Sequence, residues 1–147
     1  MNGRVFVDTN VLVYSRDSSE KQKHPLAVYW MKVLWDTRSG AISYQVLQEY
    51  YVTVTRKLKP GLNVKSAREE IRLFAAWQPV VTDSRVIEHA WTIQDQNSLS
   101  WWDALIVGAA QVTGCRYLLS EDLQDRGKIG DLLIINPFTT SPDSLSV

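Results

Sequence analysis

The stretch "RVFVDTNVLVYS", residues 4–15, decides the reading of the fold. Its first four residues combine two valines and a phenylalanine and suit a short buried strand. Asp8 then breaks the apolar run, and the residues after it turn into a short helix. A strand that meets an acid and then a helix opens a βα unit.

The same alternation continues outward from this stretch. Residues 25–38 carry Leu26, Tyr29, Trp30, Val33 and Leu34 at helical spacing, and Gly40 ends that helix. "AIS" (41–43) reads as a strand, followed by a helix over 44–58 that "KPG" stops. Asn63 caps a helix over 64–77, and "PVV" (79–81) reads as a strand. Asp83 caps a helix over 84–96, and Ser100 caps another over 101–113. "RYLLS" (116–120) and "LLIIN" (132–136) are the last strands. Short apolar strands alternating with helices imply a parallel sheet covered on both faces. The expected fold is therefore α/β, with about five short strands between two helical layers. One domain is expected over residues 1–138, with a loosely ordered polar tail over 139–147.

Composition narrows the function classes. The chain has 147 residues, 45% hydrophobic and 22% charged, within the usual globular range. Sixteen basic residues balance sixteen acidic ones, which argues against a bulk electrostatic binder of nucleic acid. With Cys115 as the only cysteine, no internal disulfide forms, and a reducing cytoplasm is the expected compartment. Neither a secretory signal nor a membrane span is expected.

Four carboxylates stand out at predicted junctions. Asp8 follows the first strand, where a helix cap alone would also place an aspartate. Glu49 sits on the 44–58 helix at the border between its apolar arc and solvent. In "SWWDALIVGA" (100–109), Asp103 fits a capping box behind Ser100, yet apolar neighbours Ile106, Val107 and Ala110 flank it on the helical wheel. The bulk of Trp101 and Trp102 is expected to serve packing beside it. Asp122 follows the strand 116–120, with Glu121 and Asp125 able to share its role. In parallel sheets, ligands gather outside the carboxyl ends of the strands, where these junctions fall. Crowded acids repel, and a divalent cation removes the conflict; all-oxygen ligation favours Mg²⁺ or Mn²⁺ over zinc. His24 and His89 are isolated and read as structural or surface residues.

Four segments together resemble PIN domains, and most closely the VapC-like toxins of bacterial toxin–antitoxin pairs. They are "VFVDTNVLVYS", "ISYQVLQEYYVTVTRK", "LSWWDALIVGAA" and "YLLSEDLQD", in the family's order and spacing across residues 3–138. The resemblance implies a three-layer α/β/α fold and a metal-dependent endoribonuclease. It matches Asp8, Glu49, Asp103 and Asp122 to the family's four acids, with Asp8, Asp103 and Asp122 as metal ligands. Asn10 and Ser120 match supporting polar positions, and Asp125 is a further supporting candidate. "DRGKIGDL" (125–132) departs from the pattern, because many relatives carry glycine directly after the position of Asp125. An RNA substrate, a cognate antitoxin and a homodimer are implied partners. Arg56, Lys57, Lys59, Arg126 and Lys128 are candidate phosphate contacts. Two alternatives remain. A catalytically silent PIN-fold module binding RNA or protein would be free to lose an acid, and none is replaced. An aspartyl-phosphate phosphatase would want an acid where Asn10 stands.

Overall fold

A computed structural model of the chain describes residues 3–145; residues 1, 2, 146 and 147, at the ends of the expected domain and tail, lie outside the described residues. Strand β1 (Val5–Val7) is fully buried and runs into helix α1 (Thr9–Tyr14), whose N-cap is Asp8. Helix α2 (Lys23–Thr37) returns the chain to the edge strand β2 (Gly40–Ala41). Ser43 caps helix α3 (Tyr44–Val52) by accepting from the Val46 N–H. Helices α4 (Val64–Leu73), α5 (Ser84–Gln96) and α6 (Trp101–Val112) follow, capped by Asn63, Asp83 and Ser100 respectively. Strand β3 (Tyr117–Leu119) and the hairpin of β4 (Lys128–Ile129) and β5 (Leu132–Ile135) complete the sheet.

The strand order is β2-β1-β3-β5-β4, parallel except for β4 against β5. Both β1 and β3 are buried at every residue, as central strands are when helices cover both faces. This is the expected three-layer α/β/α architecture. Its chain leaves β1 toward β2 and later returns to β3 on the other side, so a crevice opens at the carboxyl ends of β1 and β3. No helix among the described residues is long and apolar enough to cross a membrane.

Several boundaries differ from the sequence expectations. The segment 79–81 makes only a single bridge, Ser43 to Val80, because Pro79 has no N–H and Val81 faces solvent. The fifth strand is instead β4, joined to β5 by a two-residue turn with Gly130 at φ 60°. The helix expected over 44–58 changes pitch at Thr53–Lys57 into a π turn, within a run rich in β-branched residues. That over 64–77 tightens at Phe74–Trp77 into a 3₁₀ turn, which puts Phe74 and Trp77 on one side, three residues apart. Their rings meet edge to face at 5.0 Å.

Helix α2 buries Ala27, Trp30, Met31 and Leu34, while Leu26 and Tyr29 point outward. The expected loose tail is held against this helix as far as it is described. The Trp30 indole N–H donates to the carbonyls of Pro137 and Thr140, at 3.1 and 3.0 Å. Tyr29 also donates to Asp143 at 2.6 Å.

Candidate functional site

The register of β1 on β3 pairs Val7 with Leu119, so the next residues, Asp8 and Ser120, emerge side by side. Asp8 is 5% exposed. It accepts from its neighbour Thr9 N–H at 2.7 Å and from the Ser120 hydroxyl at 2.8 Å. The cap and the site are thus one carboxylate: Oδ1 holds the start of α1, while Oδ2 faces Ser120. Burial pushes the Asp8 carboxyl up to about 6, against the two hydrogen bonds that favour its charge, and the charges of Asp122 and Asp103 push the same way.

Asn10, the second residue of α1, ties the two strand ends together. Its Nδ2 donates to Asp8 Oδ2 at 3.3 Å and to Asp122 Oδ2 at 3.1 Å, while its Oδ1 accepts from the Glu121 N–H at 3.1 Å. Ser120 also accepts from the Asp122 N–H at 3.2 Å, which curls the turn back over the crevice. The amide of Asn10 is a hydrogen-bond donor between two carboxylates. It leaves no second acid where an aspartyl-phosphate chemistry would require one.

Asp103 approaches from α6. Its N–H donates to the Ser100 hydroxyl at 3.1 Å, so the N-cap half of the expected box forms, and its carboxyl makes no return bond to the Ser100 N–H. Burial raises its pKa, against a hydrogen bond with the Ser100 side chain that favours the charged form, and the charges of Asp122 and Glu49 add smaller upward pushes. Glu49 reaches the same place from α3. It accepts from the Thr9 hydroxyl at 2.5 Å and from Gln45 Nε2 at 3.2 Å. Gln45 Nε2 also donates to the Trp102 carbonyl at 3.3 Å, linking α3 to the start of α6. The four acids are thus neighbours: Asn10 bridges Asp8 and Asp122, Thr9 joins Asp8 to Glu49, and the charges of Asp122 and Glu49 bear on Asp103.

The other acids in the turn have partners elsewhere. Glu121 is ion-paired with Lys23. Asp125 accepts from the Asn136 N–H at 2.9 Å and from Thr139 at 3.4 Å, and so closes the loop after β5. Arg126 has φ 64°, the left-handed conformation that glycine favours, at the position where the family pattern carries glycine. Its guanidinium donates to Thr140 at 3.1 Å.

The candidate phosphate contacts lie outside the crevice. Arg56, Lys57 and Lys59 are exposed beyond the end of α3, Arg56 being seven residues and about 10 Å along the axis from Glu49. Lys128 lies on β4, two strands and about 10 Å from β3. His24 Nδ1 donates to the Tyr14 carbonyl, 2.8 Å away, and His89 meets Gln111 at 3.0 Å, both away from the acids.

Thr9, Gln45 and Trp102 were not singled out as site residues by sequence reasoning. Gln45 and Glu49 do carry a readable signal, an amide four residues before an acid on one helix. Thr9 carries none, since its partner is forty residues away. Trp102, expected to pack, is 63% exposed, while its neighbour Trp101 packs on the core.

The donor set suits a hard cation by its chemistry, being carboxylate and hydroxyl oxygen throughout. Burial raises both the Asp8 and the Asp103 carboxyls, a cost that a bound cation would offset. Among the described residues, however, no three acid, histidine or cysteine side chains converge on a ready coordination point. The Asn10 amide bridges Asp8 and Asp122.

A PIN domain family model matches residues 5–126 of the chain. A search of curated proteins finds no match. Two solved structures share the fold. A toxin–antitoxin complex from Klebsiella pneumoniae superposes with a TM-score of 0.63 at 16% identity, over 90% of this chain and 97% of that one. VapBC2 from Rickettsia felis, bound to a DNA fragment from its promoter, superposes with a TM-score of 0.61 at 14% identity, over 88% and 96%.

Proposed function

The chain belongs to the PIN-domain family, and from that membership and its crevice of acids we propose a Mg²⁺- or Mn²⁺-dependent endoribonuclease, the toxin of a type II toxin–antitoxin pair. The observation that supports this reading is the hydrogen-bonded cluster at the carboxyl ends of β1 and β3, where Asn10 bridges Asp8 and Asp122 and Thr9 joins Asp8 to Glu49. Asp8, Asp103 and Asp122 would hold the cation. When bound, it would lower the pKa of a water and offset charge on a phosphodiester.

The chain's own groups divide the remaining work. Ser120 and the Thr9 N–H fix the orientation of the Asp8 carboxylate, and a cation at Oδ2 would take the place of the Asn10 amide there. Thr9 and Gln45 hold Glu49 from both oxygens at the mouth of an open cleft. In this reading Glu49 takes up a proton from an attacking water. Arg56, Lys57, Lys59, Arg126 and Lys128 remain candidates for contacting the RNA backbone farther out.

Both similar structures are toxin complexes with their antitoxins or named as such pairs, which supports an antitoxin as partner. A homodimer and a cytoplasmic location belong to the same proposal. The direct test is cleavage of labelled single-stranded RNA by the purified chain over a Mg²⁺ titration. Cleavage that rises with Mg²⁺ and stops with chelator is expected. Cleavage indifferent to chelator, or no cleavage at any Mg²⁺ or Mn²⁺ concentration, overturns the reading.

A further inference from the structure

We infer that the cleft beside Glu49 is a subsite for one nucleobase of the RNA strand, stacked against Trp102 and Tyr44. This rests on the ribonuclease reading and adds to it where the strand is gripped. The cleft has a volume of about 660 Å³, and its lining includes Tyr44, Gln48, Glu49, Thr82 and Trp102. It falls within the roughly 300–1,000 Å³ usual for small-ligand clefts.

Two features fit a base better than a phosphate. The lining contains no lysine or arginine, and its one charge, Glu49, is negative, so a backbone phosphate would be repelled. The aromatic residues are also unusually open: Trp102 is 63% and Tyr44 45% exposed, in the first turns of α6 and α3. Leaving an indole in water forgoes burial free energy that a stacked partner would restore. Every base has a π-face, and exposed aromatics are the usual platform for single strands. The exposed amide of Gln48 and hydroxyl of Thr82 can meet the polar edge of the base.

The cleft adjoins the acids through Glu49. Glu49 lines it, Trp102 directly precedes Asp103, and Gln45 joins Glu49 to the Trp102 carbonyl. A base seated there holds its own phosphodiester beside the carboxylates. The occupant is therefore a nucleotide next to the scissile bond, and the subsite helps select where the strand is cut.

Anisotropy of labelled single-stranded RNA with the full chain carrying Asp103→Asn measures binding without consuming the strand. Adding Trp102→Ala should raise Kd about 10-fold, within the range of a lost base–aromatic stack. Trp102→Phe should recover most of it, and circular dichroism should report an intact fold for both. Abasic sites placed one at a time in the RNA should reveal one position whose base matters to the parent and not to Trp102→Ala. If Trp102→Ala combined with Tyr44→Ala binds as tightly as the parent, the subsite is wrong, while wild-type cleavage still supports the ribonuclease. If the parent binds no RNA and the wild type cleaves none, both fall together.

Discussion

Asp8 carries two duties through its two oxygens, and its protonation couples the site to stability. Burial holds its carboxyl at about 6, above the roughly 3.9 of an unfolded aspartate. Folding therefore favours the protonated form. This contribution is full below about pH 4 and is lost as pH rises through 6. With metal chelated, the wild type should lose roughly 2–3 kcal/mol relative to Asp8→Asn between pH 4 and 7. Urea denaturation of both chains across that window checks it, and a constant difference contradicts it. Asp8, Asp103 and Asp122 were legible in the sequence because each follows a strand or opens a helix. The choice of Asp122 over Glu121 was not, since it depends on Lys23 of α2 reaching Glu121 across the fold. Nor was the hydroxyl of Thr9 legible, because it meets Glu49 only once α1 has docked on α3.

Helix α6 is apolar nearly all round and is buried from Ala104 to Ala110, as befits a helix enclosed by the core. Its contact with α5 is tightest at Gly108, where an added Cβ would sit 2.9 Å from the Val86 carbonyl and 3.3 Å from the Ala90 N–H. Backbone atoms cannot step aside, so Gly108→Ala should destabilise the protein by about 1–3 kcal/mol, read as a lower urea midpoint at unchanged slope. An unchanged midpoint would mean that the two helices separate freely. The two tryptophans that open α6 separate in the same way. Trp101→Ala should lower the melting temperature by several degrees, whereas exposed Trp102→Ala should melt near wild type. Equal losses would contradict the division. Sequence pattern found the existence of every long helix but misjudged one face. In α2 an apolar surround leaves no unique stripe, and the small Ala27 turns inward in place of Leu26. The β4–β5 hairpin carried a signal in "IGDL", a Gly-Asp turn between apolar residues, that the dominant βα alternation masked.

The molecule as a whole places acids from β1, α3, α6 and the turn after β3 around one crevice, and none of those elements owns the site. A cation binding only this folded arrangement stabilises all of it. At 100 times its Kd the gain is about 2.7 kcal/mol, or roughly 5–10 °C for a chain of this size. Mg²⁺ should therefore raise the melting temperature of the wild type, and Asp103→Asn should blunt the rise. A melt indifferent to millimolar Mg²⁺ and Mn²⁺ would speak against a cation site. The decisive measurement is cleavage of single-stranded RNA by Asp103→Asn. Asparagine keeps the shape and the Ser100 cap at the backbone but removes the negative charge, so a cap alone would cost at most about 1 kcal/mol. The account predicts a chain that melts near wild type without metal and has lost at least about 100-fold of its Mg²⁺-dependent cleavage. A folded Asp103→Asn protein with wild-type activity would contradict it.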